Sequence, residues 1–262
     1  MKIPLTLRRA ALRLSVAGAC FLAIVSLSLE LPAAAAAAGM DQPRESLNVL
    51  TAAEKAAGWQ LLFDGRSLSG WRGFRGTGIP PGKWKVEDGT IHALVAVHTA
   101  EDRLGDIITE RKFEDYEFAW EWRLAKGTNS GIKYLVTEAR ATTPGPEYQM
   151  VDDFVSRAGA GPGLHSTASF YEILPPAKDS PRRPAGEWNQ SRLVVKGTRV
   201  EHWLNGKNVL TYDLTSPEVK AGLAKSKFKD EPGYGDKIAG HLMLTHHGDE
   251  CWFRNVKLRE LK

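Results

Sequence analysis

The chain has 262 residues, which is enough for one or two domains with a sizeable core, and its formal net charge is +4. Four of its 35 basic residues but only one of its 31 acidic residues lie in residues 1–38, so residues 39–262 carry 31 basic and 30 acidic side chains. This near balance of charge disfavours nucleic-acid binding, because there is no excess of positive charge to attract the phosphate backbone.

Residues 1–38 have the pattern of a secretory signal peptide. Four basic residues precede a largely apolar stretch from Leu14 to Leu31, and small residues follow up to Ala38. The pattern predicts cleavage near Ala38, export to the periplasm or the outside, and no stable membrane insertion of the cleaved chain. One alternative is an uncleaved membrane anchor, which the polar residues within the apolar stretch disfavour. The other is lipidation at Cys20, although Ala17 to Ala19 lacks the usual large apolar residue.

Cysteine content excludes an intrachain disulfide in the cleaved chain. Cys251 is the only cysteine after residue 38. It lies within an alternating apolar segment, which predicts a small buried side chain rather than a nucleophile.

Residues 39–57 are predicted to form a polar linker and a short helix. Thr51 and Glu54 have the spacing of a capping box, in which the hydroxyl caps the helix and the carboxylate reaches back. Gly58 is expected to end the helix after a few residues.

Short strands separated by turns fill residues 58–262. Asp88-Gly89 and Asn205-Gly206 suit two-residue type I′ hairpin turns, and a third hairpin is expected around Gly197-Thr198. Ser216 and Pro217 predict the start of a second short helix. Other predicted strands have the sequences WQLLFDG, GDIITE, SFYEIL, KNVLTYDL, IAGHLMLTHH and CWFRNVKLREL.

This succession predicts an all-β fold. About twelve short strands with frequent turns and no alternating βαβ pattern favour an antiparallel two-sheet β-sandwich with one or two short helices. No internal repeat and no second core is visible, so residues 58–262 are predicted to be one domain.

The stretch from Tyr116 to Asp153 is the most informative part of this domain. YEFAWEWRLA alternates apolar and polar residues, a glycine-containing turn follows, and GIKYLV and PEYQMV continue as strands. Glu147 and Gln149 lie two residues apart, so their side chains leave the same face of a strand. Three consecutive strands are therefore expected to present carboxylates, an amide and a lysine beside aromatic rings, which suits a sugar.

The acidic residues of this stretch do not match ordinary glycoside hydrolysis. A retaining glycosidase holds two carboxylates about 5–5.5 Å apart. Glu147 and Asp152 are separated by an odd number of residues, which places them on opposite faces of a regular strand unless a bulge intervenes. Glu147 is a candidate catalytic or hydrogen-bonding carboxylate, and Gln149 and Asp152 are candidate sugar ligands. The alternative is that these acids are solvated at a strand end.

Histidines supply the candidate bases, because neutral imidazole accepts protons near pH 7. His202 follows a strand pattern, and His246 and His247 precede Gly248. Neighbours on an extended chain point in opposite directions, so at most one of His246 and His247 faces a site, and the glycine favours His247. A divalent cation held by Glu147, Asp152 and a histidine stays open, since no diagnostic ligand spacing is present.

Four further polar residues are candidate sugar ligands. Glu121 and Arg123 share the polar face of YEFAWEWRLA, while Asn129 and Lys133 belong to the following turn and strand. The alternatives are a cross-strand surface ion pair for Glu121 and Arg123 and a turn-forming role for Asn129.

Four ordered motifs in the chain resemble the 3-keto-disaccharide hydrolase domain family, a family with a concanavalin-like jelly-roll fold. The resemblance runs from about Trp59 to Leu261. Its motifs are EWRLAKGTNSGIKY, PEYQMVDD, GEWNQSRLVVKGTRVEHWLNG and HHGDECWFRNVKLREL.

The resemblance implies an enzyme that acts on glycosides already oxidised at C3. The ketone acidifies the C2 proton, a base removes it, the C1 substituent is eliminated, and water adds to the product. On this reading His247 is the first choice of base and His202 the second. Glu147 and Gln149 would position the sugar, and Lys133 or Arg123 would stabilise the enolate. The alternative is a non-catalytic carbohydrate-binding sandwich.

The chain departs from the family pattern at two places near these motifs. Leu244-Thr245-His246 stands where relatives often have Leu-Gln-Asp, and Phe154-Val155-Ser156 stands where they often carry a histidine. The sugar, its linkage and the oligomeric state are left open by the sequence.

Overall fold

A computed structural model describes residues 47–96, 105–140, 143–155 and 163–262. The predicted signal peptide lies outside these ranges. No helix within them is both long and apolar enough to span a membrane. The described ranges contain two short helices, α1 (Ala52–Ala56) and α2 (Pro217–Lys225). Their strands are β1 (Gln60–Leu61), β2 (Trp71–Gly73), β3 (Trp84–Glu87), β4 (Thr90–Ala93), β5 (Ile107–Thr109), β6 (Tyr116–Leu124), β7 (Asn129–Val136), β8 (Glu147–Val151), β9 (Asn189–Lys196), β10 (Arg199–Leu204), β11 (Lys207–Asp213), β12 (His241–Leu244) and β13 (Cys251–Glu260).

The strands form two antiparallel sheets, which confirms the predicted β-sandwich. The eight-stranded sheet has the order β11-β10-β9-β6-β13-β4-β3, with β1 also paired to β13. The five-stranded sheet has the order β2-β5-β12-β7-β8. Large aromatic side chains fill the space between the sheets. Trp120 of β6, for example, meets Tyr148 of β8 edge-on with ring centroids 5.0 Å apart, and both rings are buried.

Local signals in the sequence are confirmed where the backbone chemistry is specific. Asp88-Gly89 joins β3 to β4 and Asn205-Gly206 joins β10 to β11, with positive φ at all four residues, as a type I′ turn requires. The capping box of α1 is present. Helix α2 begins at Pro217 with Ser216 as its cap.

The expectation of three consecutive strands on one surface is wrong for the first of them. Strand β6 lies between β9 and β13 in the eight-stranded sheet, whereas β7 and β8 are neighbours in the other sheet. The turn after Leu124 therefore carries the chain from one sheet to the other. Each of these strands has one apolar face, and each buries that face against the opposite sheet rather than beside its neighbour in sequence.

The segment SFYEIL is also not a regular strand. Phe170 makes isolated bridges to Tyr148 and Leu174. Ala168 and Glu172 have φ values of +67° and +69°, which interrupt an extended strand on both sides of Phe170.

Candidate functional site

The face of the five-stranded sheet that turns away from the core gathers the candidate polar residues. In β7, Ile132 and Tyr134 belong to the core, so Gly131 and Lys133 point to the opposite side. In β8, Tyr148 and Met150 belong to the core, so the side chains of Glu147 and Gln149 point the same way as Lys133. We call this surface the polar face; it comprises Asp106, Asn129, Lys133, Glu147, Gln149 and His247.

The register of the strands brings the polar face together. Lys133 pairs with Glu147, and Gly131 pairs with Gln149. The Lys133 ammonium lies 3.7 Å from the Glu147 carboxylate. Both Glu147 and Gln149 are buried, so this part of the face is largely shielded from bulk water. These two side chains leave one face of one strand, as their spacing predicts.

Gly131 makes room for the Glu147 carboxylate. A Cβ atom at position 131 would collide with Glu147 Oε1 and would lie 3.0 Å from its Cγ and Cδ. Gly131 has no left-handed φ, so the reason for glycine here is space rather than backbone conformation. The carboxylate lies over the backbone of β7 in a position that a larger residue would deny it.

Asp106 is a member of the polar face that the sequence reasoning missed. Ile107 belongs to the core, so Asp106 before it points to the other side. Its Oδ1 accepts a hydrogen bond of 2.7 Å from the backbone N–H of His246. The available signal was the acidic residue at the start of GDIITE. Nothing local in the sequence indicated that β5 and β7 both flank β12.

The acidic and basic groups of the polar face affect one another's pKa values. Burial raises the pKa of Glu147, and the positive charges of Lys133 and Lys227 oppose that rise. Burial likewise raises the pKa of Asp106, against the charges of Lys133 and His247 and the hydrogen bond from His246. Each carboxyl group therefore retains its proton to a higher pH than it would in water. Lys133 lies close enough to influence both groups.

His246 and His247 differ in burial and in surroundings. His246 is buried, its Nε2 donates to Leu94 O at 3.0 Å, and its ring meets Trp84 edge-on. His247 is half-buried and lies within electrostatic range of the Asp106 carboxyl group. His246 is therefore held in the core, while His247 lies toward the polar face.

The placement of His202 at the site requires a correction. The side chain is fully buried between the sheets. Its Nδ1 donates to Ala168 O at 3.0 Å, and its Nε2 lies 3.2 Å from the Tyr134 hydroxyl. Burial lowers the pKa of His202 to about 4. The expectation failed because alternation along β10 identifies two faces but does not tell which one meets the core.

Glu121 and Arg123 also lie away from the polar face. Both belong to β6, on the outside of the eight-stranded sheet. Glu121 accepts from Arg254 Nε at 2.8 Å. The Arg123 guanidinium contacts the rings of Trp188 and Trp252, at 5.0 and 4.5 Å from their centroids. Because β6 belongs to the other sheet, these two residues cannot line the same surface as Glu147.

Asp152 and Asn129 differ in what their oxygens do. Asp152 is buried, and its two oxygens accept from the backbone N–H groups of Gly127 and Phe154 at 2.9 and 3.2 Å. It therefore fixes the loops at this end of β8. Asn129 Oδ1 is buried and lacks a hydrogen-bond partner within the described ranges.

The described residues do not form the divalent-cation site that the sequence leaves open. No three histidine, cysteine, aspartate or glutamate side chains converge there closely enough to hold a metal ion. Glu147, Asp152 and a histidine do not form such a group. Cys251 is buried, and burial raises the pKa of its thiol to about 12.

Comparisons with known proteins agree with the fold and with the resemblance. A 3-keto-disaccharide hydrolase from Bacteroides thetaiotaomicron is 32% identical over 232 residues, 79% of this chain and 79% of that protein. A crystal structure of a candidate glycosyl hydrolase from Parabacteroides distasonis has a TM-score of 0.73 at 34% identity and covers 82% of this chain and 100% of that one. A second structure from that organism has a TM-score of 0.62 at 26% identity, with 78% and 99% covered. The family model of the 3-keto-alpha-glucoside-1,2-lyase-like domain matches residues 58–259, and the chain belongs to that family.

Proposed function

We propose that this protein cleaves glycosides that carry a ketone at C3, by elimination followed by hydration. The proposal rests on the polar face, where a buried glutamate, a lysine and a histidine belong to one surface of the five-stranded sheet. Family membership and the name of the Bacteroides relative support the substrate class.

The reaction divides into steps that the polar face can serve. A base removes the proton from C2, and the electrons form an enolate with the C3 oxygen. The enolate expels the C1 oxygen of the leaving group, which takes a proton from an acid. Water then adds across the C1–C2 double bond, placing OH on C1 and H on C2. The sum is hydrolysis of the glycosidic bond without an added oxidant or reductant.

Five side chains receive roles in this scheme. His247 is the base for C2, because His202 and His246 are buried whereas His247 is half-buried and within electrostatic range of Asp106. Lys133 places a positive charge where the enolate oxygen develops negative charge. Glu147 donates the proton to the leaving oxygen, since burial raises its pKa and favours the protonated form. Gln149 and the unpartnered oxygen of Asn129 bind sugar hydroxyls.

Solvent isotope incorporation tests the mechanism. The cleaved chain is incubated in D2O with a 3-keto-glucoside and with its unoxidised parent, with and without EDTA. Elimination and hydration place deuterium at C2 of the released keto-sugar above the background measured with that sugar alone, and the parent stays intact. Cleavage with protium retained at C2 would overturn the mechanism. Cleavage of neither compound would favour a carbohydrate-binding module without catalysis.

The leaving group separates the roles of Glu147 and His247. Glu147→Gln is expected to lower kcat by about 100-fold for a sugar leaving group but far less for 4-nitrophenolate, which needs no proton. His247→Gln is expected to slow both substrates alike, because C2 deprotonation is still required. A nitrophenyl substrate slowed as much as the sugar substrate by Glu147→Gln would contradict the assignment of the acid.

We also propose that the protein is exported. This proposal rests on the succession of basic, apolar and small residues in residues 1–38. Cell fractionation and N-terminal sequencing of the full chain expressed in a bacterium provide the test. A new N-terminus near position 39 in the exported fraction is expected, and an intact N-terminus in the cytoplasm would contradict the proposal.

A further inference from the structure

A second polar cluster adjoins the polar face beside Glu147. The backbone from Ala168 to Tyr171 runs along the edge of β8, where Ala168 N–H donates to Gln149 O at 2.8 Å and Tyr171 N–H donates to Glu147 O at 3.1 Å. The residues that follow this contact therefore start next to the backbone of the proposed acid.

Four side chains form this group, which we call the Lys227 cluster: His165, Tyr171, Glu172 and Lys227. Lys227 Nζ donates to the Tyr171 hydroxyl at 2.9 Å and lies 3.6 Å from Glu172 Oε1. His165 Nε2 lies 2.8 Å from the same Glu172 oxygen. Lys227 follows α2 in sequence, so two distant segments of the chain meet at this point.

The cluster remains accessible to a ligand. The side chains of Lys227, His165 and Glu172 are 52%, 40% and 20% exposed. Each of these side chains therefore keeps contact with solvent while it is held by its neighbours. By contrast, Glu147 beside them is buried.

Electrostatic effects on pKa agree with this proximity of the cluster to Glu147. The positive charge of Lys227 lowers the pKa of Glu147, against the larger effect of burial. In return, although burial opposes it, the Tyr171 hydroxyl and the carboxylates of Glu172 and Glu147 raise the pKa of Lys227. The ammonium group is thus within effective range of the proposed proton donor.

We propose that the Lys227 cluster is the subsite for the leaving group, which it binds through the free hydroxyl groups of that sugar. The inference rests on the proposed function. Ammonium and phenol groups donate to hydroxyl oxygens, and the carboxylate accepts from hydroxyl hydrogens, so vicinal hydroxyls match the alternation in the cluster. An apolar aglycone would remove water from these charged groups without replacing its hydrogen bonds.

The order of groups along the sheet agrees with this assignment. Glu147 lies between the Lys227 cluster on one side and Lys133 on the other. A leaving group held by the cluster places its bridging oxygen near the carboxyl group that protonates it. The keto-sugar then extends over Lys133 toward Asp106 and His247.

Two substrates with the same keto-sugar test the subsite. One carries glucose as leaving group and the other carries 4-nitrophenol. Lys227→Met and Glu172→Gln are expected to lower kcat/KM for the disaccharide by about tenfold or more, mainly by raising KM. Turnover of the nitrophenyl compound should change less than about twofold, which also shows that the variants fold. Lys229→Met is the matched control, because its side chain is exposed nearby in the same turn.

The outcomes distinguish this inference from the proposed function. Equal losses for both substrates, or no loss for the disaccharide, would overturn the subsite while leaving the enzyme assignment intact. A wild-type protein that cleaves neither keto compound would overturn the proposed function. Free glucose as a competitive inhibitor of nitrophenyl turnover, weakened by Lys227→Met, would support the subsite without relying on disaccharide cleavage.

Discussion

Gly131 shows at the scale of one residue how the polar face depends on an absent side chain. The Glu147 carboxylate occupies the space that a Cβ atom would take. The atoms it would meet belong to a flexible side chain rather than to backbone, so a methyl group there would displace the carboxylate at small cost to the fold. A substitution at position 131 is therefore expected to change the site without a comparable change in stability.

Gly131→Ala is expected to reduce activity with little loss of stability. A displaced Glu147 would be misaligned with the leaving oxygen, and misplacement by about 1 Å can lower the rate by about 100-fold. Steady-state kinetics with a keto-disaccharide and thermal unfolding of the same sample provide the measurement. Gly78→Ala is the control, since a Cβ there meets nothing within 4 Å. Full activity in Gly131→Ala would count against Glu147 as a catalytic group.

His202 gives the protein a contribution to acid sensitivity. Its pKa is about 4 in the folded state against about 6.5 in the unfolded chain. The unfolded chain therefore takes up the proton first, and the free energy of unfolding falls as pH drops from about 6.5 to about 4, by about 3 kcal/mol in total.

His202→Gln is expected to remove this part of the pH dependence. Urea unfolding at several pH values between 7 and 4 measures it. His165→Gln serves as control, because His165 is half-exposed. The same slope in wild type and His202→Gln would show that His202 is not the group responsible.

At the scale of one element, strand β7 is divided by a bulge. Leu135 has a φ of +50°, and the register between β12 and β7 shifts between His241 and Met243. Tyr134 and Leu135 consequently both join the main core, while Val136 packs with Ile108 and Met243 in a separate apolar cluster. The bulge thus gives β7 a polar half near Lys133 and an apolar half beyond it.

Gly240→Ala is expected to destabilise the bulge. A Cβ at position 240 would lie 2.5–2.6 Å from the backbone of Leu135 and Val136, which cannot move aside easily. We expect a loss of about 1–3 kcal/mol in the free energy of unfolding, as for other overpacked sites. Chemical denaturation measures it, with the exposed neighbour Ala239→Ser as control. An unchanged midpoint would show that the bulge tolerates a side chain.

At the scale of the whole molecule, the buried carboxyl groups of the polar face lower the free energy of unfolding at higher pH. Burial raises the folded-state pKa values of Glu147 and Asp106. The folded protein therefore binds more protons than the unfolded chain between the ordinary and the raised pKa values, and stability falls as pH rises through that window. These carboxyl groups make an unfavourable contribution when ionised, which is common at functional sites.

Glu147→Gln should expose this trade-off. The difference in unfolding free energy, variant minus wild type, is expected to increase as pH rises from 5 to 8, because glutamine cannot ionise. Denaturation curves at both pH values give the difference, and Glu187→Gln on an exposed loop is the control. A difference that stays constant or decreases with pH would contradict a raised pKa for Glu147.

The sequence by itself determined the features that depend on near neighbours. Asp88-Gly89, Asn205-Gly206 and the Thr51–Glu54 capping box were readable because backbone sterics and short-range hydrogen bonds decide them. Alternation placed Glu147 and Gln149 on one face of β8, and four motifs indicated the family.

Only the tertiary structure decided which strands share a sheet and which face meets the core. It placed Glu121 and Arg123 on the other sheet, turned His202 inward and brought Asp106 onto the same sheet face as Lys133. The physical reason is that these choices depend on side chains distant in sequence, such as Trp120 against Tyr148, whose burial stabilises one pairing of faces over others. A strand pattern has the same period whichever sheet it joins, so the sequence carries no local mark of that choice.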